Sequence, residues 1–304
     1  MTSLIIEKHI FEAHCPFGVD VESEIFTSLS HYFEMAYMDL TSELLGHDLG
    51  DVLPSILENS EEGDSVTQSV FVRFQPMSAI RNIVHEYVCK RAMYLAIPSL
   101  DLVLTNNGFG VINARDIVPA IPERVNRLRQ QCYNDADLAF DKLLSALPAN
   151  SITRVAICNS VPWQTKTRHL VWTACDFTAY CSPSTNNENL HNRDALRRAS
   201  GKLTNVENGI TDIISLEQFY AFRDMIRTSA DANEIQSVAI QTLLYWLSDG
   251  YTTGVTDSRQ AHILLTYMDE HIEHFTHYQN SKQYAARHQE KFTTTNRDGW
   301  FLFG

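Results

Sequence analysis

PERVNRLRQQCYNDADLAFDKLLSALP, residues 122–148, carries the clearest helical pattern in the chain. Val125, Leu128, Cys132, Ala136, Ala139, Leu143 and Leu147 recur in steps of three and four, which places them along one side of an α-helix. Pro122 suits a first helical position, where its missing N–H costs nothing, and Pro148 closes the run. At about 1.5 Å per residue the helix is roughly 38 Å long.

The same period recurs on both sides of this helix. Upstream, Ile80, Ile83, Val84, Tyr87, Val88 and Leu95 mark a helix from about Ser78 that Pro98 stops. Between the two, the strand-like Leu102-Val103-Leu104 runs into Thr105-Asn106-Asn107-Gly108-Phe109-Gly110-Val111, where Asn-Gly is a strong tight-turn signal. Further upstream, Asp20 caps a helix with Ile25, Phe26, Leu29, Tyr32, Phe33, Ala36, Tyr37, Leu40 and Leu44 inward, ended by Gly46. Residues 46–69 read as an acidic loop, and Leu4–Ile6 and Ser69–Phe74 as short strands.

Downstream, Pro148-Ala149-Asn150-Ser151 is the best candidate boundary. Ile152–Cys158 and His169–Phe177 are β-like, and Ser182–Asn189 is a polar loop. Three helical patterns follow: Leu216–Ile226, then Asp231–Leu247 stopped by Asp249-Gly250, then Asp257–Tyr278. The expectation is a mainly α fold, an amphipathic helix bundle with small β elements and an inserted or second α+β region. It divides into residues 1–150 and 151–304, with no internal repeat.

Charge is unevenly laid out. Residues 1–64 hold one lysine and no arginine against fourteen acids, while 65–150 carry nine basic and seven acidic residues and 151–304 fourteen and sixteen. The chain's net charge of −13 is therefore the charge of its N-terminal block. Such a block is a solvated face or a surface for a basic partner, and it disfavours duplex binding, because phosphates need Lys and Arg. No apolar run reaches the roughly 20 residues that span a bilayer, and Met1–Lys8 lacks the basic start and apolar core of a signal peptide. No membrane association is expected, and the chain is expected to work in a cytoplasm or in something assembled there. The six cysteines form no C-x-x-C pair and read as reduced thiols.

No stretch names a chemistry. His271, His274 and His277 stand three apart on the last helical pattern, with His262 and His288 nearby, but H-E-x-x-H is absent and three such ligands would fan out around a helix. Gly108-Phe109-Gly110 lacks the rest of a phosphate loop. No serine lies in G-x-S-x-G. A Ser/His/Asp or Cys/His set built from distant residues stays open. Arg193, Arg197, Arg198 and Lys202 form a basic cluster on a helix, either a solvated face or a contact for an acidic surface, such as the acidic block of a neighbouring copy. Trp300, Phe301, Leu302 and Phe303 place apolar bulk at the C-terminus, to be buried in the chain's own core or under a neighbouring subunit.

Thr105–Val111, its link to Pro119–Arg129, and the aromatic-glycine C-terminus resemble an uncharacterised family of Bacteroidales phages and prophages. That family is similar to the head-tail adaptor (head-completion, connector) proteins of tailed phages. The match is firmest over residues 77–150, and 151–230 have no counterpart there. The resemblance implies a structural virion protein at the neck, the head–tail junction, assembled in the host cytoplasm. It implies a ring of copies between portal and tail proteins, through whose channel DNA passes without sequence-specific binding. It implies no catalytic residues, no metal and no cofactor. The interface candidates are Thr105, Asn106, Asn107, Gly108, Phe109, Arg193, Arg197, Arg198, Trp300, Phe301 and Phe303. Two other classes remain beside it: a soluble enzyme, a hydrolase of unknown type, and a non-viral scaffold or binding protein.

Overall fold

A computed structural model describes residues 5–15, 23–45, 77–100, 102–105, 108–111, 122–181, 193–228 and 232–289. The protein is mainly α-helical. In chain order the helices are α1 (Lys8–His14), α2 (Ser23–Ser28), α3 (Ser30–Leu45) and α4 (Met77–Ala96). A hairpin of β1 (Leu102–Thr105) and β2 (Gly108–Val111) leads to α5 (Pro122–Ala146), the long helix expected from its period. Then come α6 (Ser151–Ala156), α7 (Val161–Lys166), α8 (Ala174–Cys181), α9 (Arg193–Ile214), α10 (Leu216–Thr228) and α11 (Glu234–Thr253). The last are α12 (Arg259–Glu270), α13 (Thr276–Gln279) and α14 (Lys282–His288).

Two apolar cores hold these elements. The first packs α1, α3, α4 and α5, through Phe11, Phe33, Leu40, Ile80, Val84, Phe140 and Leu143. Cys89, Ala92 and Ala96 of α4 and Cys132, Ala136 and Ala139 of α5 are all buried and small, which suits close packing of the two helices. This core continues past residue 150 to Trp163 and Trp172. The second core begins at Leu170 and Val171 and is built on α9, whose Leu196, Ala199, Leu203, Val206, Ile210 and Ile214 face α10 and α11, with α12 packed against α11. Its largest buried side chains include Trp246, Phe222, Phe275 and Tyr278.

Several sequence expectations are corrected here. The β-like stretches at Ile152–Cys158 and His169–Phe177 are not strands. Asn150 caps α6 by accepting the N–H groups of Ile152 and Thr153, and Ser160 caps α7 by accepting that of Trp163. Thr173 does the same for Asp176 at the start of α8, at 3.0 Å. A filled cap satisfies helix-end donors and outweighs the β propensity of Ile, Val and Thr. The stripe from Ile25 to Leu44 is two helices, with Leu29 buried at the break. Gly250 does not stop its helix: a Cβ there would lie 2.8 Å from Val206 Cγ1, so glycine is what lets α9 approach. The helix ends at Gly254, in the left-handed region at φ +76°. The pattern Asp257–Tyr278 is interrupted at His271, so the three histidines do not share one helix. The strand expected at Leu4–Ile6 is not formed at Ile5 and Ile6, while the strand expected at Ser69–Phe74 and the 46–69 loop lie outside the described residues.

Candidate functional site

The first residues of α9 are where the sequence placed its basic cluster, and they form one end of a polar seam between the two cores. Arg193 does not belong to a surface cluster. It is 3% exposed, its guanidinium donates to Asp141 Oδ1, and it lies over the Phe140 ring at 4.9 Å. Asp141, also 3% exposed, accepts the Ala174 backbone N–H on its other oxygen at 2.7 Å, so one carboxylate ties α5 to α8 and α9. Burial pushes this carboxyl up despite the arginine beside it.

One turn on, Arg197 is half-exposed and bonds Asp194 at 2.9 Å, while Asp194 accepts from Tyr133 of α5 at 3.0 Å. Arg197 also reaches Glu43 of α3 at 3.6 Å, and Lys166 of α7 donates to the same carboxylate at 2.8 Å. Burial pushes the Glu43 carboxyl up, but the hydrogen bond and charge of Lys166 with the charges of Arg197 and Arg193 outweigh it and hold it below the usual range. The basic cluster thus meets the acidic block inside one chain. Asp137 lies in the same seam. Burial raises it to about 6 against the pull of Arg197 and Arg193, and its Oδ2 finds no hydrogen-bond partner among the described residues. Arg198 is exposed, and Lys202 sits over the Tyr251 ring at 4.3 Å.

Further along α9 the seam gains residues the sequence reading did not single out. Glu207 accepts His169 Nδ1–H at 2.7 Å on one oxygen and the Leu170 backbone N–H at 2.7 Å on the other. His169 Nε2 lies 2.8 Å from Ser200 Oγ. Arg168 donates from Nε to His169 Nε2 at 3.0 Å and from Nη2 to Ser200 Oγ. Below them, Arg227 of α10 is buried and donates to the Thr167 carbonyl at the end of α7. Burial lowers its guanidinium to about 10. A sequence signal for two of these existed. Glu207 follows Val206 in the apolar stripe of α9, and Asp141 stands between Phe140 and Leu143 on α5, each an acid on a face that is otherwise apolar.

Of the remaining candidates, Thr105 and Gly108 close the hairpin and Phe109 pairs with Leu104. Asn106 and Asn107 between them, and Trp300, Phe301 and Phe303, lie outside the described residues. His271 bonds the Tyr267 carbonyl at 3.0 Å, His274 bonds Asn233 at 3.2 Å and His288 bonds Asp269 at 3.1 Å. Among the described residues, no three His, Cys, Asp or Glu side chains converge as a metal site needs, and no helix is long and apolar enough to cross a membrane. Five of the six cysteines are buried, Cys175 is exposed, and all are free thiols.

Residues 41–154 match DUF6712, a family of unknown function. No curated protein and no solved structure matches the chain. The matched part holds Glu43, Tyr133, Asp137 and Asp141, whereas Arg193, Arg197, Ser200, His169 and Glu207 fall beyond it. The seam therefore spans the edge of the match.

Proposed function

We propose that the protein is a structural subunit of a ring, a head–tail adaptor of the kind its sequence resembles, working at the neck of a virion between portal and tail proteins. In this reading copies of the chain surround passing DNA without reading its sequence, and the acidic N-terminal block keeps the phosphates from sticking.

The observation that carries the reading is apolar surface that has no partner among the described residues of one copy. Ile152, Val155 and Val161 are 52%, 72% and 74% exposed within ten residues of chain on α6 and α7. A second apolar area lies on α10 and α11, where Met225, Ile226, Val238, Ile240 and Leu244 line an open groove of about 400 Å³. A closed ring is built from heterologous contacts, in which one surface meets a different surface on the next copy. Two separate apolar areas on one chain suit that geometry, and a second copy is the occupant we assign to them.

Electron microscopy of the purified protein, alone and mixed with its portal, tests the proposal. Ring-shaped class averages are expected. Val155→Glu with Val161→Glu should abolish them while leaving the helical circular dichroism and melting temperature of the monomer unchanged. A chain that is absent from virions and stays monomeric beside the portal overturns the proposal.

A further inference from the structure

Sequence reading left open a catalytic set assembled from distant residues, and the fold brings one together. We propose that Ser200, His169 and Glu207 form a nucleophilic relay that cleaves short-chain acyl esters, with Arg168 facing the developing oxyanion. The inference goes beyond the assembly role and does not depend on it.

The hydrogen bonds define the protonation state. A carboxylate oxygen only accepts, so the 2.7 Å contact of Glu207 Oε2 places the imidazole proton on Nδ1. A guanidinium only donates, so the 3.0 Å contact of Arg168 Nε requires a lone pair on Nε2. Ser200 Oγ lies 2.8 Å from the same nitrogen, so the lone pair can take its proton once Arg168 releases it. The second oxygen of Glu207 is fixed by the Leu170 N–H at 2.7 Å, so the acid holds one orientation. This is the nucleophile, base and orienting acid of a serine relay.

Burial is graded in the order the chemistry needs. Glu207 and His169 are buried, Ser200 is half-buried and Arg168 is exposed. The hydroxyl thus lies at the outer edge of the trio, beneath Arg168, while the base and its acid are shielded. Pinning the 167–173 segment to α9 requires only the bonds to Glu207; it does not require a hydroxyl on the far ring nitrogen with a cation beside it. Ser200 lies mid-helix, so its backbone N–H is committed to the helix and cannot serve as an oxyanion donor. The Arg168 guanidinium, already bonded to Ser200 Oγ, supplies that charge.

In the step itself, Ser200 Oγ bonds to the ester carbonyl carbon as its proton passes to His169 Nε2, and the carbonyl π pair moves onto oxygen beside Arg168. Arg168, being exposed, swings off Nε2 to allow this. Collapse re-forms the carbonyl and breaks the bond to the alcohol, which leaves with the proton from Nε2. Water then adds to the acyl-serine, giving a proton to Nε2. Ser200 Oγ departs with that proton and a carboxylic acid is released.

The test uses the full chain, a fluorophosphonate probe with peptide mapping, and p-nitrophenyl acetate hydrolysis. Labelling of Ser200 at one equivalent is expected, with Ser200→Ala losing both label and turnover. His169→Gln and Glu207→Gln should each slow turnover by about 100-fold or more, the scale of lost general-base catalysis. Should Glu207→Gln fail to fold, the labelling of the wild type and its loss in Ser200→Ala still decide the matter. An unlabelled wild type, or a Ser200→Ala variant that hydrolyses at the wild-type rate, overturns the proposal and leaves the trio as a tie between the 167–173 segment and α9. Ring images are indifferent to either result, so this outcome and that of the assembly experiment remain distinguishable.

Discussion

Replacing Arg193 with methionine should destabilise the protein by about 3–5 kcal/mol, because it strands a buried carboxylate. Asp141 is 3% exposed, and among the described residues its carboxylate is held by the charged Arg193 and by the Ala174 N–H. The arginine also lies 4.9 Å over the Phe140 ring, a contact on the order of 1 kcal/mol that methionine replaces in part. Folded domains have total stabilities of about 5–15 kcal/mol, so the loss takes a large fraction of the whole. With a urea slope of about 3 kcal/mol per molar, the midpoint should fall by about 1 M or more. The double variant Arg193→Met/Asp141→Asn removes both charges while keeping an acceptor for the Ala174 N–H, and should recover most of the loss. Urea unfolding of the wild type, the two single variants and the double variant closes a thermodynamic cycle. The expected coupling is about 2 kcal/mol or more. A single-variant cost under 1 kcal/mol, or strict additivity, would refute the claim that this ion pair joins α5 to α9.

Two further outcomes follow from the same packing. Asp137 titrates near 6 in the folded protein, above the value of about 3.8 expected for an unfolded aspartate, so the native state binds its proton more tightly. Its ionisation therefore opposes folding above pH 6, and the penalty fades as pH falls from 6 towards 4. Asp137→Asn should stabilise the protein by about 1–2 kcal/mol at pH 7, a figure reduced for its partial exposure, and the gain should vanish at pH 4 in paired denaturant titrations. Gly250→Leu should cost about 2 kcal/mol or more, since its side chain would displace Val206 from the α9 contact; thermal melts of Gly250→Leu with and without Val206→Ala check that the two positions are coupled.

Helix content and the position of the long α5 were legible without coordinates, because an apolar period of three to four residues and proline punctuation are local properties of the chain. The same local signals failed at Ile152–Cys158 and His169–Phe177. There, β-branched residues read as strand, while single oxygens on Asn150, Ser160 and Thr173 capped helices instead. Gly250 misled for a related reason: glycine looks identical in sequence whether it ends a helix or makes room for a neighbour, and only the approach of Val206 distinguishes the two. The polar seam was beyond local reading altogether. Arg193 and Asp141 are 52 residues apart, His169 and Glu207 are 38, and Glu43 and Lys166 are 123. An arginine at the start of an amphipathic helix reads as surface until the partner that neutralises it is known. Burial of a charge is set by what packs against it, and that is decided by the tertiary structure alone.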